Sequence, residues 1–377
     1  MTSVAATRPR SASGPQGATF IELFFDLVFV YAITQVSSML VDELTWRGGA
    51  RAVVVAWLLW WAWTQFTWTL SPADTTHPVV EVVVLATTAV AFFMARSVGE
   101  TFTGNAWLFL VPYLLIRSIG MSLYAWVGGA ADRQMARSMR LFALASLPAM
   151  LALSVGALLD PGPRLGLWAA AIVLDLGAGI AVRGVAWRVY VSHFAERHGL
   201  FVIIALGESL IAVGVASSDL APTLASYAVK GAGVALVCGL WWVYFGWFKV
   251  WLEERVEAAV TIDLIRNVYS FVHFLVVIGV VGVSAALHEA VAHAGEALST
   301  PGAVSLVLGA VGYVGGVAWL SWMAGRLLLW ARLVGLGALV IFSLPAAASG
   351  LTGVSVIAGA AVAVGLIGVI EHINGLR

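Results

Sequence analysis

Cysteine is almost absent: Cys238 is the single one in 377 residues. That excludes an internal disulfide and any metal centre built on paired thiolates. Cys238 lies in an apolar run, where an inert core thiol is expected. Charge is scarce as well. Asp, Glu, Lys and Arg make up 11% of the chain, against roughly 25% in soluble domains. Twenty basic residues offset twenty acidic ones, and the sequence pI is about 7.1. No basic field exists to gather nucleic acid. The P-loop, the dinucleotide fingerprint and the nucleophile elbow that sets a Ser between glycines are all missing. ATP-driven transport by this chain alone is not expected, and neither a metal nor a cofactor is implied.

What the chain has instead is apolar surface. Hydrophobic residues reach 61%, mean hydropathy is +0.96, and there are 17 Trp and 39 Gly. A soluble protein this apolar has too few polar groups to cover itself, so the natural solvent is lipid. Trp suits headgroup depth and Gly lets helices approach closely. The expected fold is all-α: a polytopic transmembrane helical bundle of about twelve spans. A hydropathy window of about 19 residues places them near 19–41, 50–71, 79–98, 105–127, 140–158, 165–184, 199–217, 230–250, 267–288, 303–325, 329–346 and 351–371. The break between the last two is blurred by Gly335, Gly337 and Pro345.

Residues 1–18, rich in Ser, Ala, Gly and Pro, read as a disordered cytosolic tail. The apolar run from Phe20 is too long, and too acidic, for a cleaved signal peptide. It reads as a retained first span. With the N-terminus in the cytoplasm, fourteen Lys and Arg fall inside, five outside, and Arg117 within a span. That bias puts both termini in the cytoplasm of a bacterial inner membrane.

The sequence also resembles itself. Span one opens Glu22-Leu-Phe-Phe-Asp26 and reaches Gln35. Span seven follows Glu196 and reaches Glu208-Ser209. Leu59-Trp60-Trp61-Ala-Trp63 before Phe66 matches Leu240-Trp241-Trp242-Val-Tyr244 before Trp247, and Pro112-Tyr113 matches Gly312-Tyr313. Three matches in one order predict two parallel six-helix repeats, 19–184 and 185–377.

Ionisable groups at bilayer depth are costly, which makes each one a candidate. Glu22 and Asp26 share a helix face at i, i+4. They form either a proton or cation site, or an interfacial acid beside an Arg-paired one. Asp175 and Glu208 sit centrally in spans six and seven, and Arg117 is the one central cation, a counter-ion for Asp26, Asp175 or Glu208. His193, Glu196 and Arg197 share a face at the entry to span seven, next to His198. They read as a charge knot or a partial metal-ligand set. His273 in span nine reads as a core histidine or a proton relay. The tryptophans of span two cover every helix face, so most are lipid contacts or packing. Asp74 reads as a cap for the next helix.

Two segments resemble a known family. Glu22-Leu-Phe-Phe-Asp26-Leu-Val-Phe-Val with Gln35 is similar to the opening motif of the bacterial low-temperature-requirement protein A family. His193-Phe-Ala-Glu-Arg-His-Gly-Leu-Phe-Val-Ile-Ile-Ala-Leu-Gly-Glu-Ser209 resembles its most recognisable segment. Arg117, His273 and the Trp-rich second span fall where that family places similar residues, and the resemblance runs from about Phe20 to the C-terminus. The loop Ser71-Pro-Ala-Asp74-Thr-Thr is less acidic than in relatives. The resemblance implies a polytopic bacterial membrane protein and leaves its activity open. Phe24-Phe25-Asp26 is also similar to the Phe-Ser-Asp motif of duplicated six-span potassium channels, with Phe25 in place of Ser.

Four functions fit these residues. The first is a proton- or cation-coupled secondary transporter working through Glu22, Asp26 and Glu208, with Arg117 as competitor. The second is an ion channel of duplicated six-span units. The third is a membrane-embedded metal-dependent enzyme using His193, Glu196, His198 and His273. The last is a non-catalytic sensor or scaffold. The partners expected are the bilayer and a proton, ion or small-molecule substrate.

Overall fold

The computed structural model describes residues 17–129, 133–181, 189–216, 223–259, 261–327 and 329–374. Most of the expected N-terminal tail, Arg183, Arg188 and the boundary expected between 184 and 185 lie outside the described residues. Every regular element among them is helical, apart from one isolated bridge between Ala297 and Thr352. The first half of the chain supplies α1 (Phe20–Asp42), α2 (Trp46–Leu70), α3 (Pro78–Arg96), α4 (Trp107–Gly129), α5 (Arg133–Ala157) and α6 (Pro161–Ala181). Then come α7 (Val191–Ala216), α8 (Leu224–Phe245), α9 (Phe248–Ala259), α10 (Ile262–Ile265) and α11 (His273–Ala292). The last are α12 (Thr300–Ala310), α13 (Gly316–Gly325), α14 (Trp330–Ala348) and α15 (Gly353–Ile373). π-helical turns at Arg266–Val272 and Val311–Gly315 join α10 to α11 and α12 to α13.

Among the described residues, ten stretches are long and apolar enough to cross a membrane. This is a multi-pass helical membrane protein, and the blurred break near Gly335 resolves into α14 and α15. α2 and α7 are not among the ten, and both are rich in polar or indole groups. α2 is buried continuously from Val54 to Thr67. Its tryptophans Trp57, Trp60, Trp61 and Trp63 therefore pack inside the protein and do not meet lipid. Helices that do face lipid show it by bare apolar side chains, such as Phe93, Leu144, Leu151, Val173 and Ile341. Cys238 belongs with these: it is exposed on α8, not in the core as its apolar neighbours suggested.

The chain divides into two compact units. One holds the residues through Gln35 and Ala50–Arg197. In it α3 packs on α4, α4 on α5, and α5 on α6. The loop before α3 is closed by Asp74, whose Oδ1 accepts from Thr76 N and Oγ1 at 3.1 and 2.6 Å. The cap of α3 is His77, not Asp74: its Nδ1 accepts Val79 N–H at 3.3 Å. Arg164 is buried and donates to three carbonyls, Thr101 O, Leu159 O and Gly156 O, at 2.5, 2.8 and 3.4 Å.

The other unit holds Val36–Gly49 and His198–Arg377. There α8 packs on α15, α14 on α15, and α11 on α12. The last contact is backbone on backbone. A Cβ on Gly309 would lie 2.5 Å from Val283 N, and one on Gly279 would lie 2.5 Å from Tyr313 N. Gly282 adds a third such position, its Cβ 2.9 Å from Gly309 Cα. Only glycine permits this approach, and in lipid such close packing is a main source of helix attraction.

Candidate functional site

Glu22 and Asp26 lie one turn apart in the first two turns of α1, where the i, i+4 spacing turns both toward the protein interior. Neither has exposed surface. Two buried carboxylates on one face demand cations, and the first turns of α7 supply them. Arg197 Nε donates to Asp26 Oδ2 at 3.2 Å, its Nη2 to Asp26 Oδ1, and its Nη1 approaches Glu22 Oε1 at 3.4 Å. His193, one turn earlier, places Nε2 at 2.9 Å from the same Glu22 Oε1. Both basic residues are buried.

Two further elements close the cluster. From α2, the Trp63 indole N–H donates to Asp26 Oδ1 at 2.6 Å. The Arg197 guanidinium carbon stands 5.7 Å from the centre of the Trp63 ring, within cation–π range. From the segment before α1, Thr19 N and Oγ1 both donate to Glu22 Oε2 at 2.9 Å. Beside it, Ala18 N donates to Glu196 Oε2 at 2.8 Å. At 1.5 Å of rise per residue, Asp26 and Arg197 each lie about 9 Å from the start of their helices, and Trp63 about 10 Å from the end of α2. The cluster is thus near one end of each of three helices.

A model for "Bacterial low temperature requirement A protein (LtrA)" matches residues 17–369. The chain belongs to the bacterial low temperature requirement A family. It is also 28% identical over 336 residues to an uncharacterized protein of Rhizobium meliloti (strain 1021), covering 85% of this chain and 81% of the relative. No solved structure matches. In this member of the family, the two long motifs, on α1 and α7, are the elements that meet at the cluster.

Arg117 takes a different partner. It forms a two-pronged pair with Asp175, Nη1 to Oδ2 at 2.8 Å and Nη2 to Oδ1 at 3.2 Å. Tyr113 OH accepts from Nη1 at 2.9 Å, and Ser146 Oγ from Nη2 at 3.4 Å. Gln65 of α2 donates to the Arg117 carbonyl at 2.8 Å. Of the three counter-ions expected for Arg117, Asp175 is the one it binds, while Asp26 is served by Arg197. The acids therefore fall into separate groups. Gln35 and Glu208 are half-buried, and buried Ser209 donates to Ala205 O at 3.4 Å.

His198 and His273 belong to the second unit. The His198 ring lies 4.9 Å from Tyr269 and 5.3 Å from His273. His273 Nδ1 lies 2.8 Å from Val268 O and its Nε2 lies 2.8 Å from Tyr244 OH. A carbonyl only accepts, so Nδ1 carries the hydrogen, and in the neutral ring Tyr244 donates to Nε2. Both nitrogens of His273 are engaged. Among the described residues no three His, Cys, Asp or Glu side chains gather as metal ligands would. Phe25, where the channel motif has Ser, packs against Phe29 and Phe66 at 4.8 and 4.9 Å.

Sequence reasoning missed a second buried pair. Arg332 donates through Nε and Nη2 to Glu371 Oε1 and Oε2 at 2.7 and 3.2 Å, and through Nη1 to Ser321 Oγ at 2.8 Å. Trp247 N–H donates to Glu371 Oε2 at 2.8 Å, and Arg332 lies 5.4 Å from the Trp247 ring centre. This repeats, within the second unit, the arginine–carboxylate–tryptophan arrangement of the first. The signal was present: Glu371 is an acid in an apolar last span, and Arg332 opens another.

Proposed function

We propose that this chain is a secondary transporter of the bacterial inner membrane, with both termini in the cytoplasm, in which the cluster of Glu22, Asp26, His193 and Arg197 couples solute movement to a proton or cation. One observation carries the reading. Among the described residues two fully buried carboxylates share a single arginine, which leaves them one positive charge short while His193 is neutral. Burying an uncompensated charge is strongly unfavourable, so a site built this way favours binding one more cation, and loses it when helix contacts rearrange. Arg197 takes the competitor role that Arg117 held in the sequence reading, because it touches both acids. The lysine and arginine bias supports the orientation: Arg197 and Arg332 on the inner count and Arg164 on the outer are buried, and the excess remains inside without them.

We also read the chain as two related six-helix halves. The support is the ordered sequence matches between spans one and seven, two and eight, and four and ten; the two arginine–carboxylate–tryptophan groups do not follow that correspondence, since Trp63 matches Tyr244 and Trp247 matches Phe66.

The test is reconstitution. Proteoliposomes are offered a bacterial metabolite extract with and without an inward proton gradient, in sodium, potassium or choline buffer, and their contents are read by mass spectrometry. At least one solute is expected to accumulate only when a proton or cation gradient is present, and not in Asp26→Asn. Equal contents with and without every gradient would remove the transport reading.

A further inference from the structure

We propose that the ion taken up by this cluster is a proton and that it binds at Nδ1 of His193. The role in transport rests on the reading above; the proton site itself does not.

The carboxylate oxygens are nearly filled: each accepts two hydrogen bonds except Asp26 Oδ2, which accepts one. Asp26 Oδ1 accepts from Trp63 and Arg197, and Oδ2 from Arg197. Glu22 Oε1 accepts from His193 and Arg197, and Oε2 twice from Thr19. A metal cation binds by collecting several oxygen ligands. Here each oxygen faces an N–H or O–H, so a cation would first have to displace Arg197 or the Thr19 segment. A proton needs one lone pair only.

That lone pair is on His193. Its Nε2 faces a carboxylate oxygen, which accepts, so Nε2 carries the hydrogen, and in the neutral ring Nδ1 is the bare nitrogen. Nδ1 is buried and has no hydrogen-bond partner among the described residues, and the residue is 3% exposed. An empty acceptor in such a place is unusual enough to require a reason. His273 provides the contrast, since both its nitrogens are engaged.

The surrounding charges favour the proton. α1 presents Glu22 and Asp26. α7 itself carries Glu196 and Arg197, and Tyr190 precedes it. The α2 contribution, Trp63, does not titrate. Within the bonded cluster two negative charges face one positive one. A proton arriving at Nδ1 forms one N–H bond, breaks none, leaves the Nε2–H bond to Glu22 in place and brings the cluster to neutrality.

The test is nitrogen NMR of the full chain in lipid nanodiscs. Ser192-His193 is the one Ser-His pair in the sequence, so carbonyl-labelled serine with nitrogen-labelled histidine identifies His193 without a mutation. The expected result is an Nε2–H ring with bare Nδ1 in alkaline buffer and a doubly protonated ring after acidification. Exchanging sodium or potassium for choline leaves both spectra unchanged. In Glu22→Gln the strict Nε2–H preference is lost. An Nδ1–H ring at high pH, a bare Nδ1 throughout, or a response to sodium or potassium would overturn the proposal. A titrating His193 in a protein that shows no gradient-driven uptake sinks the transport reading alone. Proton-driven uptake with a silent His193 sinks this assignment alone.

Discussion

Trp63 donates its indole hydrogen to Asp26 across 2.6 Å, linking α2 to α1 through a side chain that the sequence leaves between lipid contact and packing. Trp63→Phe keeps the ring and removes the donor. Loss of a hydrogen bond to a charged acceptor costs about 1.5–3 kcal/mol. Trp241→Phe, on an exposed face of α8, is expected to stay within about 0.5 kcal/mol. Unfolding titrations in mixed micelles compare the two, and equal effects would mean that the Trp63 bond does not hold the helices.

Arg197→Gln strands two buried carboxylates. Breaking a buried ion pair from one side costs about 3–5 kcal/mol. Adding Asp26→Asn removes one of the stranded charges, so the double variant should be less damaged than the sum of the singles. A double-mutant cycle measures the difference. Strict additivity would mean that the two residues do not interact.

Arg117→Lys replaces a planar fork that meets both oxygens of Asp175 with a single ammonium. The expected loss is about 1.5–3 kcal/mol, as for a hydrogen bond to a charged group. Because Asp175 is bound by Arg117 and Asp26 by Arg197, the His193 ring resonances should not move. A shift in them would mean that the two groups act as one.

Gly309→Ala forces a methyl to within 2.5 Å of Val283 N. Overpacking of this kind costs about 1–3 kcal/mol. Gly337, inside α14, has nothing among the described residues within 4 Å of where a Cβ would stand, so Gly337→Ala should gain about 0.5–1 kcal/mol from helix propensity. Matching changes in unfolding midpoint for the two would remove the close-approach argument.

The helices were legible because lipid imposes one rule everywhere: long apolar runs must satisfy their own backbone. Hence α1 to α8 and α11 to α15 fall close to the expected spans, even where Gly335 and Pro345 blurred the pattern, while the short α9 and α10 lie between two of them. Partners were harder to read, because pairing depends on which helix faces which. Arg117 had three candidate acids, Asp26 among them, and nothing in the spacing of α1 pointed to Arg197, 171 residues away. Trp63 was hidden among five other tryptophans of α2. Arg332 was hidden by its place near a helix start, where it counted as a topology signal. Chain-local features fared unevenly for the same reason. The His193–Arg197 spacing showed a shared face, while the cap of α3 fell to His77 because Asp74 was already used in its own turn.

The glycine contact between α11 and α12 has a mechanical consequence. Where two backbones touch, no side chains lie between them to change rotamer and absorb a sliding motion. Any displacement of α11 along its axis must carry α12 with it or tear the contact open, exposing polar backbone to lipid. Whatever movement the second unit undergoes, these two helices travel as a single beam, and flexibility has to come from elements packed around it.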